Sequence, residues 1–194
     1  MTLTLFLILA PYGAFAFLML VTSAAVSLFA AAGVCVAVIV LDAMRGRSVK
    51  ILGAGSAIVF VAVGGYLVGV NPSLSQSAVK FLVDTGMFVV AAGSMLLRHP
   101  FTLQYAVEAV PAETAGMPGF LRANYVITSV WTTAMLLMML GNVAILYIPG
   151  LPIWTGLAIA FAARNSAVYF TKWYPAYRRM KYGTPPADAL PKMN

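Results

Sequence analysis

The sequence predicts an all-α integral membrane protein: a bundle of six transmembrane helices with one short interfacial helix and both termini on the cytoplasmic side. Three observations carry this prediction. Of 194 residues, 62% are hydrophobic and 9% charged, whereas a soluble domain carries about 25% charged residues. The apolar residues come in runs long enough to cross a hydrocarbon core of about 30 Å at 1.5 Å per helical residue. The Lys and Arg residues gather in alternate connections, leaving Lys80 on the opposite side and Arg164 inside a span, the asymmetry of the positive-inside rule.

The first apolar run, residues 3–41, is nearly twice the length of one span. A tight hairpin at Val21-Thr22-Ser23-Ala24 divides it into spans at 3–21 and 24–43, with Pro11-Tyr12-Gly13 as a kink within the first. With no basic segment before the run, the N-terminal span is expected to be retained and not cleaved as a signal peptide. Asp42 to Lys50 is a basic, cytoplasmic connection. The third span, 51–70, is glycine-bearing, and Gly65-x-x-x-Gly69 has the spacing of a helix-packing surface. An uncharged turn at 71–77 leads to the fourth span, 78–97, where Lys80 and Asp84 are spaced to pair on one helical face.

Pro100 then starts an interfacial helix over 101–110, with Phe101, Gln104, Tyr105 and Glu108 on one face and Leu103, Ala106, Val107 and Val110 on the other. The fifth span, 121–147, carries a stripe of Asn124, Thr128, Trp131, Met135, Met138 and Asn142, within about 40° of Asn124 at 100° per residue. Amides are costly in hydrocarbon, so this stripe faces protein or water. The sixth span, 153–172, holds Arg164 and Asn165, and an aromatic and basic belt follows at 173–181. Residues 183–194 are expected to form a flexible cytoplasmic tail.

Several chemistries lack their residues. One histidine, one cysteine and five acids, without His-x-x-x-His or Cys-x-x-Cys spacing, predict no metal site and no cofactor. The single Cys35 has no disulfide partner within the chain. The net charge of +7 lies at span ends, where it serves orientation, so the lipid bilayer and not nucleic acid is the expected partner, with a homo-oligomer or larger membrane complex open. What remains is a candidate polar cluster at the cytoplasmic half: Arg98, Gln104, Tyr105, Glu108, Asn124, Thr128, Arg164, Asn165 and Tyr169. Within it, Glu108 is expected to pair with Arg164 or Arg98 and close the inner end of a cavity.

The stretch Asp42-x-x-Arg45-Gly46-Arg47, a glycine-bearing span, and then Gly93-Ser94-Met95-Leu96-Leu97-Arg98-His99-Pro100 resembles small bacterial proteins of the intracellular septation protein A type over residues 42–100. The resemblance implies a bacterial inner-membrane protein involved in envelope or division processes and carries over no catalytic residue. The first functional expectation is therefore a non-enzymatic protein of envelope organisation or a membrane-assembly subunit. Two alternatives stay open: a small oligomeric transporter or channel with a polar cavity, and a membrane-embedded enzyme acting on a lipid or isoprenoid.

Overall fold

The computed structural model describes residues 2–182, which are all-helical with no strand among them. The principal helices are α1 (Thr2–Val21), α2 (Ala24–Met44), α3 (Ile51–Gly69), α4 (Gln76–Leu96), α5 (Phe101–Ala106), α6 (Ala112–Ala115), α7 (Pro118–Tyr147) and α8 (Ile153–Tyr182). Among them α2, α3, α4 and α7 are long and apolar enough to cross a membrane. The expected tail at 183–194 lies outside the described residues.

Local chemistry sets the helix ends. The α1–α2 hairpin falls at Thr22-Ser23, where Thr22 Oγ1 donates back to the Leu18 carbonyl at 2.9 Å and Ser23 Oγ accepts from Val26 N at 3.3 Å as the N-cap of α2. Ser75 caps α4 in the same way, accepting from Ala78 N at 3.2 Å. At the end of α4, Arg98 takes φ 60°. Its N–H donates to Met95 O at 3.0 Å and that of His99 to Ser94 O at 2.9 Å, the two bonds of a Schellman cap, whose left-handed position usually holds glycine.

Helix packing runs in the order α1, α2, α3, α4, α7, α8, each against the next, and α1 and α8 are not among the principal packed pairs. The row is held at close quarters by glycines that face branched side chains. A Cβ on Gly55 of α3 would lie 2.6 Å from Val90 Cγ1 of α4, and one on Gly86 of α4 would lie 2.7 Å from Val59 Cγ1 of α3. Each helix thus presents one glycine notch and one valine knob four residues away. Between α7 and α8, Gly141 faces Ile159 and Gly156 faces Ile145. This reciprocity substitutes for the hydrophobic driving force that lipid denies to helix association.

Several element-level expectations change. A Cβ added at Gly65 or Gly69 would meet nothing within 4 Å, so the packing glycines of α3 are Gly53 beside Ile39, Gly55, and Gly64, the last facing the Phe29 ring. The short helix expected over 101–110 is shorter than that: it tightens into a 3₁₀ turn at Val107–Ala109, and the connection that follows contains the one-turn α6. Helix α8 continues past residue 172 through Pro175 to Tyr182. The extension is supported by stacked Phe170–Tyr174 and Trp173–Tyr177 rings, each pair 5.0 Å between centroids, and by a hydrogen bond from Arg178 to the Gly119 carbonyl at the start of α7.

Candidate functional site

The row of helices surrounds a cavity of about 380 Å³, within the size range of small-ligand sites. Its wall is mainly apolar, with Leu52, Met87, Phe101, Ile127, Ala134, Met135 and Met138 prominent. Into it also come Tyr12 from α1, Asp84 from α4, Thr102 and Tyr105 from α5, Asn124 and Trp131 from α7, and Arg164 and Thr171 from α8. Tyr12 and Arg164 belong to the two ends of the helix row, so the cavity extends to where α1 and α8 leave the row open.

Most polar groups of the wall are already engaged. Ser56 Oγ donates to Leu52 O at 2.5 Å, which leaves it to accept from Tyr12 Oη, also at 2.5 Å. Trp131 Nε1 donates to Thr171 Oγ1 at 2.9 Å. Asn124 Nδ2 donates to Phe120 O at 3.0 Å, and Asn142 Nδ2 donates to Asp84 Oδ2 at 2.7 Å. Arg164 differs: its guanidinium makes no hydrogen bond and no ion pair among the described residues, although it lines the same cavity as Asp84. Asp84 lies eight residues from the start of α4 and Arg164 eleven from the start of α8. At 1.5 Å per residue these are depths of about 12 Å and about 16 Å from the same end of the bundle, where an ionisable side chain is expensive unless it serves a site.

A second group of charges stands at the other end, against the α2–α3 connection. Lys50 is 5% exposed and forms an ion pair with Glu108. It also donates to Ser48 Oγ at 3.0 Å and lies 5.8 Å from the Tyr105 ring centroid. Arg47 approaches both Glu108, at 4.0 Å, and Asp42, at 3.6 Å. Partial burial opposes the charge on Glu108, but the Lys50 hydrogen bond and the Lys50 and Arg47 charges prevail and hold its carboxyl below the ordinary range. Burial, reinforced by the Asp42 carboxylate, pushes the Tyr105 phenol above its usual value. Gln104 Oε1 accepts from Ile51 N at 2.7 Å, capping α3 from another element. Thr102 donates to Asn124 O at 3.0 Å and bonds Thr128 Oγ1 at 2.6 Å, while Phe101 N donates to Ser94 Oγ at 3.2 Å. Helix α5 is thus fastened to α3, α4 and α7, and Tyr105 forms the partition together with Leu52, both lining the large cavity and the small cleft of about 30 Å³ beside Lys50.

The nine residues of the expected cluster therefore separate. Tyr105, Asn124 and Arg164 line the cavity. Gln104 and Glu108 fasten α5 to the α2–α3 connection, and Thr128 anchors it to α7. Arg98 caps α4 at an exposed position, Asn165 donates to its own helix at Phe161 O, and Tyr169 is 68% exposed on the outer side of α8. Glu108 pairs with Lys50 and Arg47, not with Arg164 or Arg98. Asp84 bonds Asn142 across to α7 and forms no ion pair with Lys80. The expectation that the α7 stripe faces protein holds for Asn124, Trp131, Met135 and Met138 at the cavity and for Thr128 and Asn142 in interhelical bonds.

Sequence reasoning does not place Tyr12, Asp84 or Lys50 in the site. Asp84 carries a signal, as a carboxylate two turns inside an apolar helix, and Lys50 carries none, since a lysine at a span end is ordinarily an orientation charge. Among the described residues no three His, Cys, Asp or Glu side chains group to hold a metal ion.

What the fold and the cavity define is a class: an all-helical integral membrane protein with an internal, mainly apolar cavity bearing one acid and one base. Comparison with protein families, curated proteins and solved structures gives no match.

Proposed function

We propose that the protein is a six-span transporter-type membrane protein that takes up a small amphipathic solute in the cavity between α1, α4, α7 and α8. One observation carries this: Asp84 and Arg164 both line an apolar-walled cavity of about 380 Å³ deep in the bundle without forming an ion pair. In a bundle shaped only for packing, opposite charges at that depth gain most by direct contact. A cavity that accommodates them apart favours transport over the organisational and enzymatic alternatives. In this proposal α1 and α8 complete six spans, both termini lie on the side of the basic α2–α3 connection, and that side is the cytoplasmic face of a bacterial inner membrane. The positive-charge asymmetry and the resemblance over residues 42–100 support this placement.

Cysteine labelling tests the proposal, because Cys35 is the only native thiol. In a Cys35→Ala background, Met138→Cys on the cavity wall is treated in proteoliposomes with a membrane-impermeant thiol reagent, applied from one side and then the other. Labelling from at least one face, absent for Leu140→Cys on the exposed outer side of α7, is the expected result. If the thiol at position 138 reacts no faster than the one at position 140, the cavity has no aqueous route and the transport function is wrong.

A further inference from the structure

The pair Asp84 and Arg164 also specifies the chemistry of the solute. Asp84 is held by Asn142 through one carboxylate oxygen, leaving the other without a hydrogen bond among the described residues. Arg164 brings a planar set of N–H donors with no acceptor among the described residues. Among the described charged side chains that line the cavity these two are the only pair of opposite sign, and both keep hydrogen-bonding capacity that no described side chain fills.

A guanidinium recognises a carboxylate through two parallel hydrogen bonds. An anion alone at Arg164 would still face the Asp84 carboxylate across the same cavity, and a cation alone at Asp84 would face Arg164. A ligand that carries both charges satisfies both groups, and pairing at each end offsets the cost of taking its charges out of water, which a singly charged ligand recovers at one end only. The remaining wall, with Met87, Ile127, Met135 and Met138, takes an apolar body.

Resting on the cavity being a solute site, we propose that it binds a zwitterion with an apolar body, of the apolar α-amino-acid type, its carboxylate at Arg164 and its ammonium at Asp84.

The test uses the full-length protein carrying Met138→Cys and Cys35→Ala in nanodiscs and reads protection of the thiol at position 138 from the reagent. Four probes share the leucine side chain and differ in which charges they carry: L-leucine, leucinamide without the carboxylate, N-acetyl-L-leucine without the ammonium, and N-acetyl-L-leucinamide without either. L-leucine is expected to protect at concentrations at least about tenfold lower than each of the other three. In Arg164→Gln the advantage of leucine over leucinamide disappears, and in Asp84→Asn the advantage over N-acetyl-leucine disappears. The probe series on the protein with both charges intact decides the question even if these variants fail to fold. Equal protection by all four, or best protection by a singly charged probe, overturns the zwitterion while leaving a reachable solute cavity. Failure of all four to protect a thiol that labels readily also overturns it. Failure of position 138 to label at all overturns the cavity's role itself.

Discussion

At the residue scale, two side chains have calculable consequences. Arg98, the residue after the Leu97 C-cap of α4, holds a left-handed φ of 60°, a conformation that costs a residue with a Cβ and costs glycine nothing. Arg98→Gly is therefore expected to raise stability by about 0.5–1 kcal/mol, seen as a higher Tm in micelles; an unchanged or lower Tm would mean that the arginine side chain compensates its backbone. Glu108 is the second. Its partner Lys50 is nearly inaccessible while Glu108 is partly exposed, so the pair lies between a surface and a buried salt bridge. Glu108→Gln strands the lysine and should cost about 1–3 kcal/mol after discounting for solvent screening. Lys50→Met combined with Glu108→Leu should recover most of that loss, and a double-mutant cycle measures the coupling. Because folding lowers the carboxyl's pKa, its stabilisation is complete above the ordinary value of 4.5 and declines as pH falls through the lowered folded value. A thermal titration between about pH 7 and pH 3 should show a loss that is smaller in Glu108→Gln.

At the element scale, the glycine notches separate structural from spare glycines. Gly86→Val forces a β-branched side chain against Val59 across the α3–α4 contact and should destabilise by about 1–3 kcal/mol, with partial recovery when Val59 is reduced to Ala. Gly65→Ala, where nothing lies within 4 Å, should be neutral or slightly stabilising through helix propensity. Matched thermal scans of the two variants decide this, and equal destabilisation by both would contradict the packing described. The glycine richness of α3 is legible in the sequence, but not which glycines pack, because spacing alone leaves the rotation of a helix against its neighbour undetermined. Similarly, the amphipathic pattern of 101–110 predicts a short helix there without revealing that Gln104 caps α3.

At the scale of the whole molecule, the row α1, α2, α3, α4, α7, α8 brings together residues from both ends of the chain around one cavity. Ala134 lines that cavity, and Ala134→Trp should fill it. The expected result is loss of reagent access to the thiol introduced by Met138→Cys, with a moderate loss of Tm, since Ala134 also packs against Ala163 and Ala167 of α8. A collapse in Tm would show that the wall is packed more tightly than its volume suggests. Tyr105, Asn124 and Arg164 are legible in the sequence as polar residues that belong inside a bundle. The separation of Asn124 and Arg164 from Glu108 is not, because heights along the bundle follow from sequence position whereas directions follow from packing.

The class of the protein, the positions of its apolar helices, the break at Thr22-Ser23 and the inward turn of the α7 stripe are all written in the linear chain. Each follows from the cost of placing polar groups in hydrocarbon, which acts residue by residue. That Asp84 and Arg164 share a cavity, that Lys50 is the partner of Glu108, and that Gly55 and Gly86 form the α3–α4 contact emerge with the packed bundle and not before it. Those pairings depend on which helix lies beside which and on the rotation of each about its axis. Within a lipid environment that rotation is set by steric fit between facing side chains, which no single helix encodes.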